Sequence, residues 1–462
     1  MQPYVMLKNV RAVLPEEADP IICSILINTE TGLIEEIIRA EISSDADSLE
    51  NSKIDETGAD VLTITDYEGM LVFPGFIDPH VHFRYPSPTS EHSEDWLSGS
   101  LCALAAGVTT VLEMPNTNPA TVDEHGLNVK LEHIKSNSLI NYGIYGGLTK
   151  NNLEFLLETP EIKAVKVYLA STTGDMLIDN LPSLGVDTDK VFTFHAEDED
   201  IINQNKNSIG HLDQPIKHSL IRSEDAAIKA VERVKQIWQN TQENSHAKFH
   251  IAHASTYGEI EVLQNTDITY EVTAHHLFCN TNDYSHGGFL WKCNPPLRDP
   301  KTQNSLYELL LDEKIPMLAT DHAPHPLMAK KFSRDNLGKE PASGLPSLEI
   351  ASHFLLNEMA VQRVSPVQVK NVLSTNAAER FDIQQRGEIK KGYYADLAIV
   401  DDQKIWTFEK SDIRSRCGWS PFVGREFKSK VMATIVNGCI HSQIQKTRDN
   451  DQPNLKGNIF RV

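Results

Sequence analysis

FPGFIDPHVHFRYP, residues 73–86, is an apolar run that ends in His80, His82 and Arg84 at alternate positions. Alternate side chains of an extended strand share one face, so two imidazoles and a guanidinium converge there. Pro74-Gly75 and Pro86 bound the strand, while Val72, Phe73, Phe76 and Ile77 make its approach apolar. An edge strand with a solvated polar face accounts for an isolated His-x-His equally well. The apolar approach favours a buried strand that ends at a site.

Outward from this stretch, residues 70 to 380 alternate apolar strands with longer amphipathic segments. The strands include GVTTVLEMP, NYGIYGGL, AVKVYLA, VFTFHAE, KFHIAHA, ITYEVTAHH and IPMLATDHAPH; the helical patterns include SEDWLSGSLCALAAG, SEDAAIKAVERVKQIWQNTQ and PKTQNSLYELLLDE. Repeated strand-then-helix units imply a parallel sheet, and about eight of them imply a closed (β/α)8 barrel of the TIM type. Residues 1–68 read as short β runs broken by the acidic stretch SSDADSLENSKIDETGAD. After 383 the β-like text returns in GEIKKGYYADLAIVDD and KVMATIVNGCIH and ends in a polar tail. The expectation is an α/β chain with a barrel at 69–383 and a small flanking β-sandwich domain built discontinuously from 1–68 and 384–462. No repeat at a solenoid period stands out.

A chain of 462 residues with 43 basic and 64 acidic side chains carries a net charge of −21, which argues against general nucleic-acid or anionic-membrane binding. Cys23, Cys102, Cys279, Cys293, Cys417 and Cys439 have no Cys-x-x-Cys spacing, so neither a disulfide framework nor a thiolate zinc site is expected. No apolar run approaches the ~20 residues that span a bilayer. These features together read as a soluble, cytoplasmic chain with reduced thiols.

In a barrel, residues at the C-terminal strand ends meet at one mouth. Here that set comprises His80, His82, Lys166, His195, His253 and Asp321. Histidine nitrogens and carboxylate oxygens suit zinc at roughly 2.0–2.2 Å, and the set exceeds what one tetrahedral ion needs. Two metals are therefore expected. His195 and His253, taken singly, also fit hydrogen-bonded core histidines. His250, His275, His276, His322 and His325 are rival ligands by spacing alone, and adjacent His275 and His276 would point to opposite faces of a strand. Lys166 lies mid-strand among Val165, Val167 and Leu169. A buried amine loses its proton more readily, and reaction with carbon dioxide would give a carbamate able to bridge two cations. The alternative is a lysine that reaches the rim or pairs with an acid.

DPHVHFR, MPNTNP, KVYLA, FHAED, IAHAS, VTAHHL, NPPLR, ATDHAPH and GEIKKGYYADL, in this order between about 70 and 440, resemble the dihydroorotase branch of the amidohydrolase superfamily. The resemblance implies the barrel with its flanking sandwich, zinc, and a homodimer. It implies that His80, His82 and Asp321 hold the more buried metal, His195 and His253 the more exposed one, and carboxylated Lys166 bridges them. Arg84, Asn116, Asn294 and His325 match positions that grip the substrate, chiefly its α-carboxylate. The implied reaction is reversible cyclisation of N-carbamoyl-L-aspartate to L-dihydroorotate in de novo pyrimidine biosynthesis. It proceeds by a metal-bound hydroxide mechanism in which Asp321 is the catalytic proton carrier.

The chain departs from the pattern in places. Many bacterial members of similar length carry aspartate at the Lys166 position, Tyr85-Pro86-Ser87-Pro88 replaces a more usual Glu-Pro-Gly, and STTGDMLIDN (171–180) is a candidate mobile loop. The competing readings are another cyclic amidase (a hydantoinase, dihydropyrimidinase or allantoinase) and a non-catalytic scaffold. Arg84 and NPPLR speak against the first, and the complete set of ligand types against the second.

Overall fold

β-Branched and aliphatic runs near both ends of the chain become strands, as their composition directs. The computed structural model describes residues 4–39, 61–85, 93–171, 176–178, 184–242, 245–331 and 340–442. The acidic stretch, the polar tail, residues 86–88 and most of 171–180 lie outside them. β1 (Tyr4–Ala12), β2 (Ile21–Asn28), β3 (Leu33–Arg39), β4 (Val61–Asp66) and β5 (Leu71–Pro74) open the chain. One residue after β5, the barrel begins. β6 (Phe76–Val81), β7 (Val108–Glu113), β8 (Asn141–Gly147), β9 (Ile162–Tyr168), β10 (Val191–His195), β11 (Lys248–Ile251) and β12 (Thr269–Tyr270) form a seven-stranded parallel sheet in sequence order.

The sheet curls into a TIM-type barrel. β13 (Val272–Thr273) follows β12 across Glu271 and pairs in parallel with β14 (Leu318–Ala319). A parallel bridge between Val81 and His322 then returns the chain to β6. Asp78 reinforces this seam, accepting from Thr320 N–H at 3.1 Å and Thr320 Oγ1 at 2.6 Å.

The helices lie where the amphipathic patterns place them. Trp96–Ala105 starts at Asp95, whose carboxylate accepts from Ser98 N–H while Ser98 Oγ meets the Asp95 N–H, a reciprocal cap. Glu224–Gln242 buries Ala227, Ala230, Val231, Val234 and Ile237 in the barrel core cluster or its margin, the three-and-four spacing of one helical face. Pro300–Leu311 opens on an Asp299 cap with proline in its first turn. Two expected strands are shorter than their apolar text. IPMLATDHAPH is regular only at β14, because Asp321 takes φ +44° and breaks the extended run. In ITYEVTAHH the strand ends at Thr273, which caps a short helix, Ala274–Phe278. His275 and His276 therefore sit in a helix, with ring centroids 4.5 Å apart, rather than on opposite faces of a strand.

After the barrel come β15 (Leu397–Asp401), β16 (Trp406–Thr407), β17 (Glu426–Phe427), β18 (Lys430–Val436) and β19 (Cys439–Ser442). Strands from both ends join in one eight-stranded sheet of order β19-β18-β15-β5-β1-β2-β3, with β4 beside β1. β15 runs antiparallel to β5, so the C-terminal region pairs with the strand that leads into the barrel. Leu7, Val10, Ile25, Ile27, Val72, Leu397, Ile399 and Ile435 pack as its core. The six cysteines are free, and no helix among the described residues is long and apolar enough to cross a membrane.

One buried polar knot ties this sheet to the barrel. Asp396 pairs with Arg386 and accepts from Asn141 Nδ2 of β8 at 2.8 Å and from Asn437 N–H at 2.7 Å. Removing one partner of a buried ion pair leaves an uncompensated charge. Asp396→Ala is therefore expected to destabilise the fold by about 3–5 kcal/mol, read as a lower midpoint in denaturant unfolding.

Candidate metal centre and active site

The seam between β6 and β14 brings the metal-ligand types together. His80 Nε2 lies 3.2 Å from His82 Nε2, and Asp321 Oδ1 lies 3.3 Å from the first and 3.1 Å from the second. Ligand atoms about 2.0–2.1 Å from one tetrahedral ion stand roughly 3.3 Å apart, so these atoms have the spacing of three corners of a zinc-type shell. The far nitrogens are engaged: His80 Nδ1–H donates to Glu271 Oε1 at 2.5 Å and His82 Nδ1–H to Asn116 Oδ1 at 2.7 Å. Burial holds His82 down at about 3, so its ring is neutral. A neutral imidazole that donates through Nδ1, as His82 does, presents a bare lone pair at Nε2, here facing a carboxylate oxygen. Such a cluster repels itself unless a cation sits among its members.

A second pair faces the same cavity. His195 Nδ1 is 2.9 Å from His253 Nε2, and the His253 ring centroid is 5.2 Å from that of His80. His195 Nε2–H donates to Glu197 Oε2 at 2.9 Å, and Arg222 pairs with the same carboxylate at 3.0 Å. Burial pushes Glu197 up, but Arg222 and the His195 hydrogen bond outweigh it and hold the acid at about 2. Lys166 enters from β9. Its Nζ is buried with no hydrogen-bond partner, and desolvation lowers it to about 8 against the smaller opposing pull of Glu271 and Asp321. An unpartnered amine in this setting fits conversion to a bridging carbamate.

The amidohydrolase family model matches residues 71–440. The chain belongs to the amidohydrolase family. Relatives named dihydroorotase include that of Halobacterium salinarum, 35% identical over 84% of this chain and 91% of the relative, and that of Methanosphaera stadtmanae, 30% identical over 84% and 88%. Among solved structures, the L-hydantoinase (dihydropyrimidinase) of Arthrobacter aurescens superposes with a TM-score of 0.83 at 22% identity, covering 96% of this chain and 97% of its own. At that identity the likeness is one of fold. Metal binding is general in the amidohydrolase family, and His80, His82 and Asp321 form a group able to hold an ion.

Around this amidohydrolase centre lie the other expected site residues. Arg84 has φ +54°, and its N–H and that of Phe83 donate to the two oxygens of buried Glu113 at 3.0 and 2.9 Å. Its guanidinium lines the cavity, with Nη1 3.1 Å from His325 Nε2 and Nε unpartnered. Asn294 lines the same wall and accepts from His218 Nε2 at 2.9 Å. Asn116, expected as a substrate ligand, is also placed to orient His82. Gly344 closes one side at φ +140°, where a Cβ would meet Ala323 O at 2.3 Å.

Three of the rival histidines have other partners. His250 donates to Glu271 Oε2 at 3.2 Å and meets Thr269 Oγ1 at 2.8 Å; His276 is bonded to Thr273 Oγ1 at 2.8 Å and Pro295 O at 3.1 Å; His322 pairs with Glu94 at 3.0 Å. His275 is buried with both nitrogens unpartnered. Sequence reasoning missed Glu271, Glu113, Glu197 and Tyr168, whose buried hydroxyl lines the cavity without a partner. Glu271 and Glu113 had a signal: each is a lone charge inside an apolar strand run, as Lys166 is. Glu271 holds both His80 and His250, so Glu271→Gln is expected to weaken metal affinity about 10–100-fold, checked by competition with a chelator of known strength.

Proposed function

We propose that the chain is a dihydroorotase that interconverts N-carbamoyl-L-aspartate and L-dihydroorotate in de novo pyrimidine biosynthesis. The relatives of that name support the reaction. The observation that carries the substrate is Arg84, a buried guanidinium with an unpartnered Nε in the cavity that holds the candidate ligands. A planar fork of donors matches a carboxylate, which dihydroorotate has and dihydrouracil lacks. The fold likeness to hydantoinases keeps an uncharged cyclic amide as the alternative substrate.

In this reading His80, His82 and Asp321 would hold one zinc and His195 and His253 a second, and carboxylated Lys166 would join the two. The ions supply Lewis acidity at the reacting carbonyl and make water acidic near neutral pH. The chain does the rest. Arg84 takes the α-carboxylate with Asn116, Asn294 and His325, which fixes the ring against the ligand cluster. Asp321 accepts the proton of the attacking water and passes it to the departing ring nitrogen; in the biosynthetic direction it returns the proton the other way. Glu271 and Glu197 keep His80 and His195 in the tautomers that expose the metal-facing nitrogen. We assign 69–383 to the catalytic barrel and 1–68 with 384–462 to an accessory β-sandwich, a division supported by the pairing of β15 with β5. A cytoplasmic homodimer completes the reading.

Four outcomes test it. With zinc quantified on one sample, L-dihydroorotate should be turned over selectively against dihydrouracil, hydantoin and allantoin; turnover of an uncharged ring instead removes Arg84 from its role. Arg84→Lys should raise KM roughly thirtyfold, about 2 kcal/mol, with metal content intact, and Asp321→Asn should lower kcat by at least about a thousandfold. Carbamate forms from the neutral amine. With Lys166 at about 8 instead of 10.5, the neutral fraction at pH 8 rises from roughly 0.3% to about half. Reactivation of metal-stripped protein by zinc at a fixed concentration of dissolved carbon dioxide should therefore be faster at pH 8.5 than at pH 6.5; equal rates at the two values would count against the carbamate.

A further inference from the structure

Asp321 is a non-glycine residue in the left-handed region, a conformation that persists only where its surroundings over-determine it. On its N-terminal side Thr320 is tied to Asp78. On its C-terminal side the restraint runs through His322. His322 Nδ1 accepts from the N–H groups of Ser347 and Leu348, both at 3.1 Å, so the neutral ring carries its proton on Nε2 and donates it to Glu94 Oε2 at 3.0 Å. The His322 carbonyl also accepts from His82 N–H at 2.8 Å.

Glu94 is fully buried, and part of what holds it comes from far along the chain. Ser415 Oγ–H donates to its Oε2 at 2.6 Å and Arg416 N–H to its Oε1 at 3.4 Å, while Ser98 Oγ–H donates to Oε1 from the neighbouring helix. Four residues after Ser415, Trp419 Nε1–H donates to the His325 carbonyl at 2.8 Å. The two anchors belong to one tight turn: Gly418 N–H bonds Ser415 O at 3.1 Å with Gly418 at φ +68°. A single turn thus grips both ends of the segment that carries Asp321 and His325.

We propose that Ser415–Trp419 is a positioning strap for the 320–325 loop, with Ser415 acting through Glu94 and His322 on Asp321, and Trp419 acting through His325 on Arg84. The roles of Asp321 and Arg84 are those of the preceding section; the restraint itself is geometric. The two anchors have separable consequences. Loosening the Ser415 end displaces the proton carrier and lowers kcat, whereas loosening the Trp419 end displaces the carboxylate grip and raises KM.

The test uses the full-length, zinc-loaded protein as wild type, Ser415→Ala, Ser415→Thr and Trp419→Phe, with metal content measured on each. Ser415→Ala is expected to lose about tenfold in kcat on L-dihydroorotate with KM within about twofold, and Ser415→Thr to recover most of it. Trp419→Phe keeps the aromatic packing and removes only the donor. It should raise KM about tenfold with kcat within about twofold. In parallel, hydrogen exchange of the His322 and Ala323 amides, bonded in the wild type to Thr320 Oγ1 at 3.0 Å and Leu345 O at 2.9 Å, should accelerate at least about fivefold in Ser415→Ala and Trp419→Phe. Unchanged exchange overturns the strap. Equal losses in kcat and KM that track thermal stability alone overturn it as well. If the wild type does not turn over dihydroorotate, the functional reading fails, and the exchange measurement still decides the strap.

Discussion

The contact on which the rest depends is the double hydrogen bond from Thr320 to the Asp78 carboxylate. It joins the first barrel strand to the segment after the last one, residues far apart in the chain, and thereby sets His80 and His82 against Asp321. Asp78 is fully buried, and burial pushes its carboxyl up to about 7 against the opposing pull of Thr320 and of the His80 N–H. A buried acid at a seam is tolerable only when its oxygens are met. Thr320 and His80 meet them, and the ligand triangle follows from that closure.

Inside the barrel the same logic is repeated. Three histidines that face the centre are aimed by buried partners behind them: Glu271 behind His80, Asn116 behind His82, Glu197 with Arg222 behind His195. These partners leave the inward nitrogens with lone pairs and no protons, an arrangement that favours a cation. The Lys166 amine, by contrast, makes no hydrogen bond and lies over the Tyr168 ring, 5.4 Å from its centroid. Glu113 extends the pattern to the backbone, since its two oxygens hold the N–H groups on which Arg84 turns into the cavity.

The strands outside the barrel are bound to this machinery. β5 leads into β6 across one residue, and β15 lies beside β5, so the terminal sheet restrains the strand that carries His80 and leads to His82. Asp396 and Arg386 add a buried ionic knot at the junction with β8. Farther on, the turn at 415–419 touches Glu94 and the His325 carbonyl. Pieces of the C-terminal region thus bear on opposite ends of the 320–325 loop, and chain order gives no hint that they would.

By itself the sequence determined the alternation of strand and helix and the isolation of Lys166 in an apolar strand, whereas the strand of His80 ends at Val81 and Arg84 reaches the cavity through a left-handed φ of +54° and not by alternation. The first two rest on local periodicity, two residues per strand repeat or 3.6 per helical turn, which the chain carries wherever it goes. Tertiary structure alone decided the rest. Thr273 caps a helix where strand text continued, so His275 and His276 left the positions that alternation assigned them. Asn116 faces His82, and Glu271 holds His80, because closure placed β7 and β12–β13 behind the first strand. Three of the five rival histidines were separated by their partners: Glu271 takes His250, Pro295 and Thr273 take His276, and Glu94 takes His322; His275 has no partner, and His325 faces Arg84. Periodicity states which way a side chain points, but the choice between ligand and support depends on what stands opposite, and that is set by burial and hydrogen bonding across the closed barrel.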